Sequence, residues 1–341
     1  MTASFVLLAP GLIESVKLAR GSGLETPRLA SIETCLARAN RDRTEHGLYP
    51  ALKGLVAETS GPLPLPPEAP VCYVGDFGEA PSGWCCRADP VHLEPVGDHL
   101  RLLDDSVLQV KLEEAQSLVA AFNTVYEREG LTLTCGAPAR WYLTSNTPLD
   151  VGHDSPDNVH GHSVLGFMIE GSGGAAGRRL MNEIQMIFHQ SEVNRVREDG
   201  GKPAINSVWL WGGGRLPLAA PVNMPTAWGD QPCLRGLWSW AGGRAMPLPT
   251  SVEPCLSQFG DGLGAAVMDD FLTSLRTAGA TAWTGALERL DEYWCRPLLE
   301  ALTVGRLGDL RLISDGTSFS LRRASLRRWW RRSRPLSDLP G

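Results

Sequence analysis

Eight cysteines, at positions 35, 72, 85, 86, 135, 233, 255 and 295, form no CxxC pair and no zinc-like spacing. That leaves zinc-finger and CxxC chemistry without residues. No stretch approaches the ~20 consecutive apolar residues that span a bilayer. No basic segment precedes the first apolar run, Phe5–Ala9, and Pro10–Gly11 interrupts it early. A signal peptide is therefore not expected, and reduced cysteines in a cytoplasmic protein are. The chain has no GK[ST] loop, no GxGxxG, no internal repeat and no helix-turn-helix. Sequence-specific nucleic-acid reading thus lacks a reader.

What is present describes a globular protein. The 341 residues are 43% hydrophobic and 21% charged, with 37 glycines and 25 prolines marking many loops. Two lobes, or one large α/β domain with an insertion, follow from the length. The net charge of −6 is uneven. Residues 319–341 hold seven arginines and one aspartate, a balance of +6, which leaves −12 for residues 1–318. An acidic body repels nucleic acid, while the last segment attracts anions.

Periodicity assigns a buried strand at 4–12, helices at 31–40 and 51–57, a loop at 61–70 and a short apolar run at 71–75. Alternation around a Gly-Asp break predicts a hairpin over 89–105. A helix is expected over 112–129, strands at 131–135 and 140–144, and loop over 145–177. A single helix is expected over 178–196, with strands at 205–211 and 235–240. A helix kinked at Pro297 follows over 286–302, and a last core strand over 310–314. Strands separated by helices indicate an α/β fold with a mainly parallel sheet flanked by helices, and the antiparallel signals at 89–144 indicate an inserted α+β lobe.

INSVWLWGGGRLP, residues 205–217, ends an apolar Trp-rich strand in three glycines. No helix signal follows Gly214, so the run is not a phosphate cradle. With CRADPVHL (86–93), LEEAQSLVAAFN (112–123), ARWYL (139–143), PLDVG (148–152), the block 178–217 and LERLDEYW (287–294), it resembles the archaeal-type cofactor-independent phosphoglycerate mutases of the alkaline-phosphatase superfamily. The resemblance is nearest to their shorter bacterial relatives, the RpfE-type regulatory proteins. It implies an alkaline-phosphatase-like core at 1–76 and 206–319, an inserted lobe at 77–205 and a basic tail at 320–341. It also places 205–211 as the strand that re-enters the core.

Enzymes of that superfamily use two divalent metals held by Asp and His, and a phosphorylated Ser or Thr nucleophile. The first strand of the family ends in a metal-binding Asp. Here Ala9–Pro10 stands there, with no carboxylate before Glu14. Pro66 or Pro67 takes the nucleophile's place, AGATAWTGA replaces a ligand-bearing D-x-x-G-H segment, and the terminal D-H reads Asp315–Gly316. Asp315 is the remnant ligand, and one carboxylate cannot assemble a dinuclear site. The expectation is a pseudoenzyme with no cofactor, serving as a regulatory or binding protein. The alternative is a phosphoglycerate mutase or metal-dependent phosphohydrolase with a displaced site.

Other residues suggest chemistry more faintly. His153, His160 and His162 sit in a polar Gly-rich loop and read as a solvated loop, with metal binding as the alternative. Arg87 and Arg140, and Asn194 with Arg195, match positions the family keeps. They imply an anion pocket for a phosphorylated metabolite, or else ordinary ion pairs. In the tail, Leu326, Trp329 and Trp330 share one arc of a helical wheel, opposite Arg327, Arg328, Arg331 and Arg332. A short amphipathic helix is expected, docked on the acidic body, on an anionic membrane surface or on an acidic partner.

Overall fold

The computed structural model describes residues 3–61, 63–97, 99–149, 155, 174–219, 222, 224–258 and 262–338. His153, His160 and His162 lie outside these residues. The chain forms two compact units, Met1–Leu63 with Ala219–Gly341, and Pro64–Leu218.

The first unit opens with β1 (Ser4–Leu8), α1 (Leu12–Gly21), α2 (Ala30–Arg38), β2 (Asn40–Arg43) and α3 (Leu48–Ser60). The second unit contains α4 (Glu68–Phe77), β3 (Trp84–Val96), β4 (His99–Leu103), α5 (Asp105–Leu108) and α6 (Leu112–Tyr126). It continues with β5 (Leu131–Ala137), β6 (Arg140–Ser145), α7 (Gly174–His189), α8 (Glu192–Asp199) and β7 (Ser207–Arg215). The chain returns to the first unit with β8 (Ala227–Trp228), α9 (Pro232–Trp240), β9 (Ala245–Met246) and β10 (Leu263–Val267). It finishes with β11 (Asp309–Ser314) and β12 (Thr317–Arg322).

The first unit's sheet has the order β2-β12-β11-β1-β10-β8-β9. β1 runs parallel to both β10 and β11, with Leu7 opposite Ala266 and Leu312. β8 and β9 continue the parallel set, while β12 and β2 close one edge antiparallel. The burial pattern explains the central position of β1, whose residues Phe5–Leu8 are all buried, as a strand covered on both faces requires. One apolar cluster joins Phe5, Leu7, Ile32, Trp228, Trp283 and Trp294.

Two carboxylates from distant sequence organise this unit. The residue preceding α1 is Gly11 and that preceding α2 is Leu29, so neither helix has a side-chain cap of its own. Asp315 accepts the N–H groups of Gly11 (2.6 Å), Ile13 (2.9 Å) and Glu14 (3.0 Å) at the start of α1. Asp291 accepts the N–H of Ile32 (2.7 Å) in α2. Each supplies the negative charge and acceptor that a helix N-terminus lacks.

The second unit's sheet runs β4-β3-β6-β5, with β7 antiparallel along the other side of β3. Here the structure departs from the expected boundary. β7 is not a core strand of the first unit, because it pairs with β3 over residues 84–91 and sets Trp209 opposite Asp89 and Trp211 opposite Arg87. Trp209 and Trp211 do share a face, in a cluster with Val91, Leu93 and Leu102. The three glycines belong to the strand itself. A Cβ on Gly213 would collide with the Trp84 ring, and one on Gly214 with Pro67. Close approach demands glycine at 213 and 214, and a left-handed backbone (φ 64°) at the strand's register shift favours it at 212.

Other expectations are corrected locally. The loop expected over 61–70 ends at α4, which starts at Glu68 and takes in the apolar run 71–75. The strand expected at 235–240 lies in α9, whose first turn carries Pro232. The helix expected over 178–196 is two helices. It breaks at Ser191, whose hydroxyl accepts the Asn194 N–H and caps α8. The helical run from Gly279 to Val304 widens into a π-helical stretch at Leu290–Cys295, just before Pro297. Proline has no N–H for the carbonyl four residues back, and the Tyr293 carbonyl instead accepts from Val252 (3.1 Å). The tail is not an amphipathic helix. β12 takes residues up to Arg322, a 3-10 turn spans Arg323–Arg327, and the chain then runs irregularly to a second 3-10 turn at Leu336–Asp338.

Candidate functional site

Asp315 sits where parallel strands deliver side chains for chemistry, at the C-terminal end of β11 beside the end of β1. Its backbone has φ 45° and that of Gly316 φ 75°. Two consecutive left-handed residues of the Asp-Gly type make a two-residue hairpin turn, closed by the Ser314–Thr317 pair. Its carboxylate takes three backbone N–H groups and the Ser314 hydroxyl (2.9 Å). The residue is thus at once a turn former and a helix cap.

Next to it lies a cleft of about 570 Å³, lined by residues that include Glu14, Lys17, Arg41, Arg43, His46 and Asp315. Strand alternation accounts for the two arginines. Arg41 and Arg43 are opposite Phe319 and Thr317 in the β2–β12 ladder, and all four line the cleft. The Arg41 guanidinium lies 5.5 Å from the centre of the Phe319 ring. The cleft mixes three cationic side chains with the carboxylates of Glu14, Asp42 and Asp315. Sequence reading missed it. Glu14 had a signal as the first carboxylate after β1, but His46 lies in a loop with no motif around it.

Among the described residues, one group has metal-ligand spacing: Glu14, His46 and Asp315, whose ligand atoms lie within 4.8 Å of one another. This set does not fit a dinuclear centre. Two divalent cations need several carboxylates and imidazoles, whereas the described residues offer one such group and its Asp315 already accepts four donors. Lys17, Arg41 and Arg43 add positive charge alongside.

The residues singled out in the second unit form a different kind of assembly. Arg87 donates twice to Asp89 Oδ1 (3.0 and 2.6 Å), and Trp211 Nε1 donates to Oδ2 (2.8 Å). The guanidinium carbon of Arg87 lies 5.0 Å from the Trp211 ring centre and 5.6 Å from that of Tyr142. Burial alone would lower the Arg87 pKa, yet the Asp89 charge raises it, so the guanidinium is always protonated. Burial pushes the Asp89 carboxyl above its ordinary value, and the Arg87 charge with the hydrogen bonds from Trp211 and Arg87 limits the rise. Arg140 grips Asp76 with both ends of its fork (2.7 and 2.9 Å), and the Tyr142 hydroxyl donates to the same carboxylate (2.6 Å).

Asn194 is buried and splints two segments. Its Nδ2 donates to the carbonyls of Phe188 and Ile205 (2.8 Å each), and its Oδ1 accepts the Ile205 N–H (2.7 Å). Arg195 is exposed and pairs with Glu192 and Asp199 on its own helix. The buried arginine of this helix is Arg197, which donates to Glu114 and to the carbonyls of Leu108 and Pro203. Arg87 lies over the Tyr142 ring and Arg140 shares Asp76 with the Tyr142 hydroxyl, whereas Asn194 and Arg195 make their contacts within and beside α8. Each holds a partner of its own.

No protein-family model matches the chain. Over 135 residues it is 27% identical to a probable 2,3-bisphosphoglycerate-independent phosphoglycerate mutase of Geobacter sulfurreducens, covering 39% of this chain and 34% of that protein. Over 124 residues it is 31% identical to a 2,3-bisphosphoglycerate-independent phosphoglycerate mutase of Methanothermobacter thermautotrophicus, covering 36% and 31% respectively. These matches span about a third of the curated relatives' length. A solved protein of Pyrococcus horikoshii superposes with TM-score 0.53 at 11% identity, over 94% of this chain and 86% of that one. The class is thus a mixed α/β protein with the alkaline-phosphatase-like fold. Within it, the chain is distantly homologous to cofactor-independent phosphoglycerate mutases.

Proposed function

We propose that the protein is a non-catalytic regulatory or binding protein of the RpfE type, built on a phosphoglycerate-mutase-like scaffold. Its ligand site is the cleft beside Asp315, and its ligand is a small phosphorylated metabolite. One observation carries the non-catalytic reading: Asp315, the remnant of the family's metal set, is committed to the α1 N-terminus and the β11–β12 turn. Lys17, Arg41 and Arg43 supply the cations that would recognise an anion. The anion site is placed here and not at Arg87 and Arg140 because each of those already holds a carboxylate.

A thermal-shift screen of phosphorylated metabolites tests the reading. A rise in Tm that vanishes in Arg41→Ala/Arg43→Ala supports it, and a panel without response contradicts it. A second reading is a metal-dependent phosphohydrolase with a displaced site, favoured by the spacing of Glu14, His46 and Asp315. That reading requires a bound divalent cation after purification, lost in His46→Ala, together with phosphatase turnover.

A further inference from the structure

Nine of the eleven tryptophans are buried, while Trp329 and Trp330 are 78% and 63% exposed. Their rings meet edge to face with centroids 6.1 Å apart. Leaving two indoles in water forfeits the burial that stabilises the other nine, so their exposure calls for a partner.

The segment that carries them is fastened to the first unit. Arg38 donates to the Leu326 carbonyl (2.8 Å), and Arg328 donates to the Arg38 carbonyl (3.0 Å) and Asn40 Oδ1 (2.7 Å). Arg331 donates to the Ala39 carbonyl (2.8 Å), Arg20 to the Ser337 carbonyl (2.8 Å), and Leu336 is buried. All these acceptors are neutral. Residues 326–338 are held by backbone carbonyls and one amide, and among the described residues Arg322 alone of the tail arginines meets a body carboxylate, Asp309 at 3.4 Å. Arg327, Arg332 and Arg334 are exposed and form no salt bridge among the described residues. An open hollow of about 480 Å³, lined by Ala37, Ala39, Asn40, Arg41 and Arg331, adjoins the indole pair's segment.

We propose that Trp329, Trp330 and the surrounding arginines form an interfacial anchor for an anionic phospholipid bilayer. Indoles favour the headgroup level of a bilayer, where their apolar face is covered and the N–H stays wet. Guanidinium groups at the same level bind lipid phosphates. Charge complementarity selects an anionic surface, and projecting indoles beside cations suit a partner that deforms around them. No membrane-crossing helix is needed, and none of the described helices is long and apolar enough to be one.

The test uses the full chain and vesicles of phosphatidylcholine with and without phosphatidylglycerol. Binding is read by co-sedimentation and by protection of tryptophan fluorescence from acrylamide, which in the free protein reaches chiefly these two indoles. The expected result is binding to anionic vesicles that weakens with salt, with the quenchable fraction lost on binding. Trp329→Ser/Trp330→Ser abolishes it, and each substitution in Arg327→Ser/Arg332→Ser/Arg334→Ser weakens it about fivefold. All these side chains are exposed, so an unchanged melting temperature and circular dichroism spectrum confirm that the variants fold. Equal binding to neutral vesicles, or unchanged binding by the tryptophan variant, overturns the proposal. So do tighter binding to a single-stranded oligonucleotide, and a dimer that already protects the indoles without lipid.

Discussion

The charged cluster of the second unit is closed, and that beside the first unit's cleft is open. In the second, Arg87 pairs with Asp89 and lies over the Trp211 and Tyr142 rings, and Arg140 pairs with the buried Asp76. In the first, Glu14 and His46 are exposed beside a cleft, and only Asp315 among their group is saturated. A closed network fixes a structure, whereas an open cluster keeps capacity for a ligand. Arg87 and Arg140, which stand out in the sequence, are in the closed network, and the residues able to meet a ligand are in the open one.

The largest effect is expected where the closed network is broken. Asp89→Ala leaves Arg87 buried without its carboxylate and should lower stability by about 3–5 kcal/mol. Urea denaturation measures this, and a loss below about 1 kcal/mol would make the pair a surface-like contact. Asn194→Ala strands the Ile205 N–H and carbonyl in the interior, while the Phe188 carbonyl keeps Ser191, and should cost about 2–3 kcal/mol in the same assay.

Asp315→Ala sharpens the contrast from the other unit. Loss of the α1 cap should cost about 1–2 kcal/mol. An unchanged denaturation midpoint would mean that the carboxylate is not engaged with α1.

Buried thiols give a pH signature. Burial pushes the Cys85 thiol up to about 12 from an ordinary value of 9.0. Above pH 9 the unfolded chain ionises this thiol and the folded chain does not. The stability it contributes is therefore fully present below pH 9 and falls until about pH 12, with a slope of about 1.4 kcal/mol per pH unit. Cys85→Ala should flatten the alkaline limb of the stability curve. The smallest effect belongs to Arg195→Ala, whose exposed pairs on one helix should matter by less than about 0.5 kcal/mol.

Elements with one clean period were legible in the sequence. β1, α2, α6, the β3–β4 hairpin, β5 and β6 stand where alternation or helical spacing puts them. Short Trp-rich runs were not. Residues 235–240 read as a strand, yet Leu234, Leu237, Trp238 and Trp240 bury one flank of a helix begun by Pro232. The tail's helical wheel failed because its residues follow β12 in a 3-10 turn and an irregular run pinned through Arg38, Arg328 and Arg331 to backbone carbonyls, contacts that no local pattern reports. The Asp315–Gly316 dipeptide was read against a lost metal ligand, although Asp-Gly between two apolar runs is also a strong hairpin signal. The cleft was invisible because it joins α1, β2, the loop at His46 and the β11–β12 turn, which meet only through the sheet order.

The central claim is that this scaffold binds without catalysing. The most direct measurement is metal content of the purified protein by mass spectrometry, paired with phosphoglycerate turnover in added Mn²⁺. Substoichiometric metal and no turnover above buffer are expected. Two tightly held divalent ions per chain, with turnover abolished by Asp315→Ala in protein that remains folded, would contradict it.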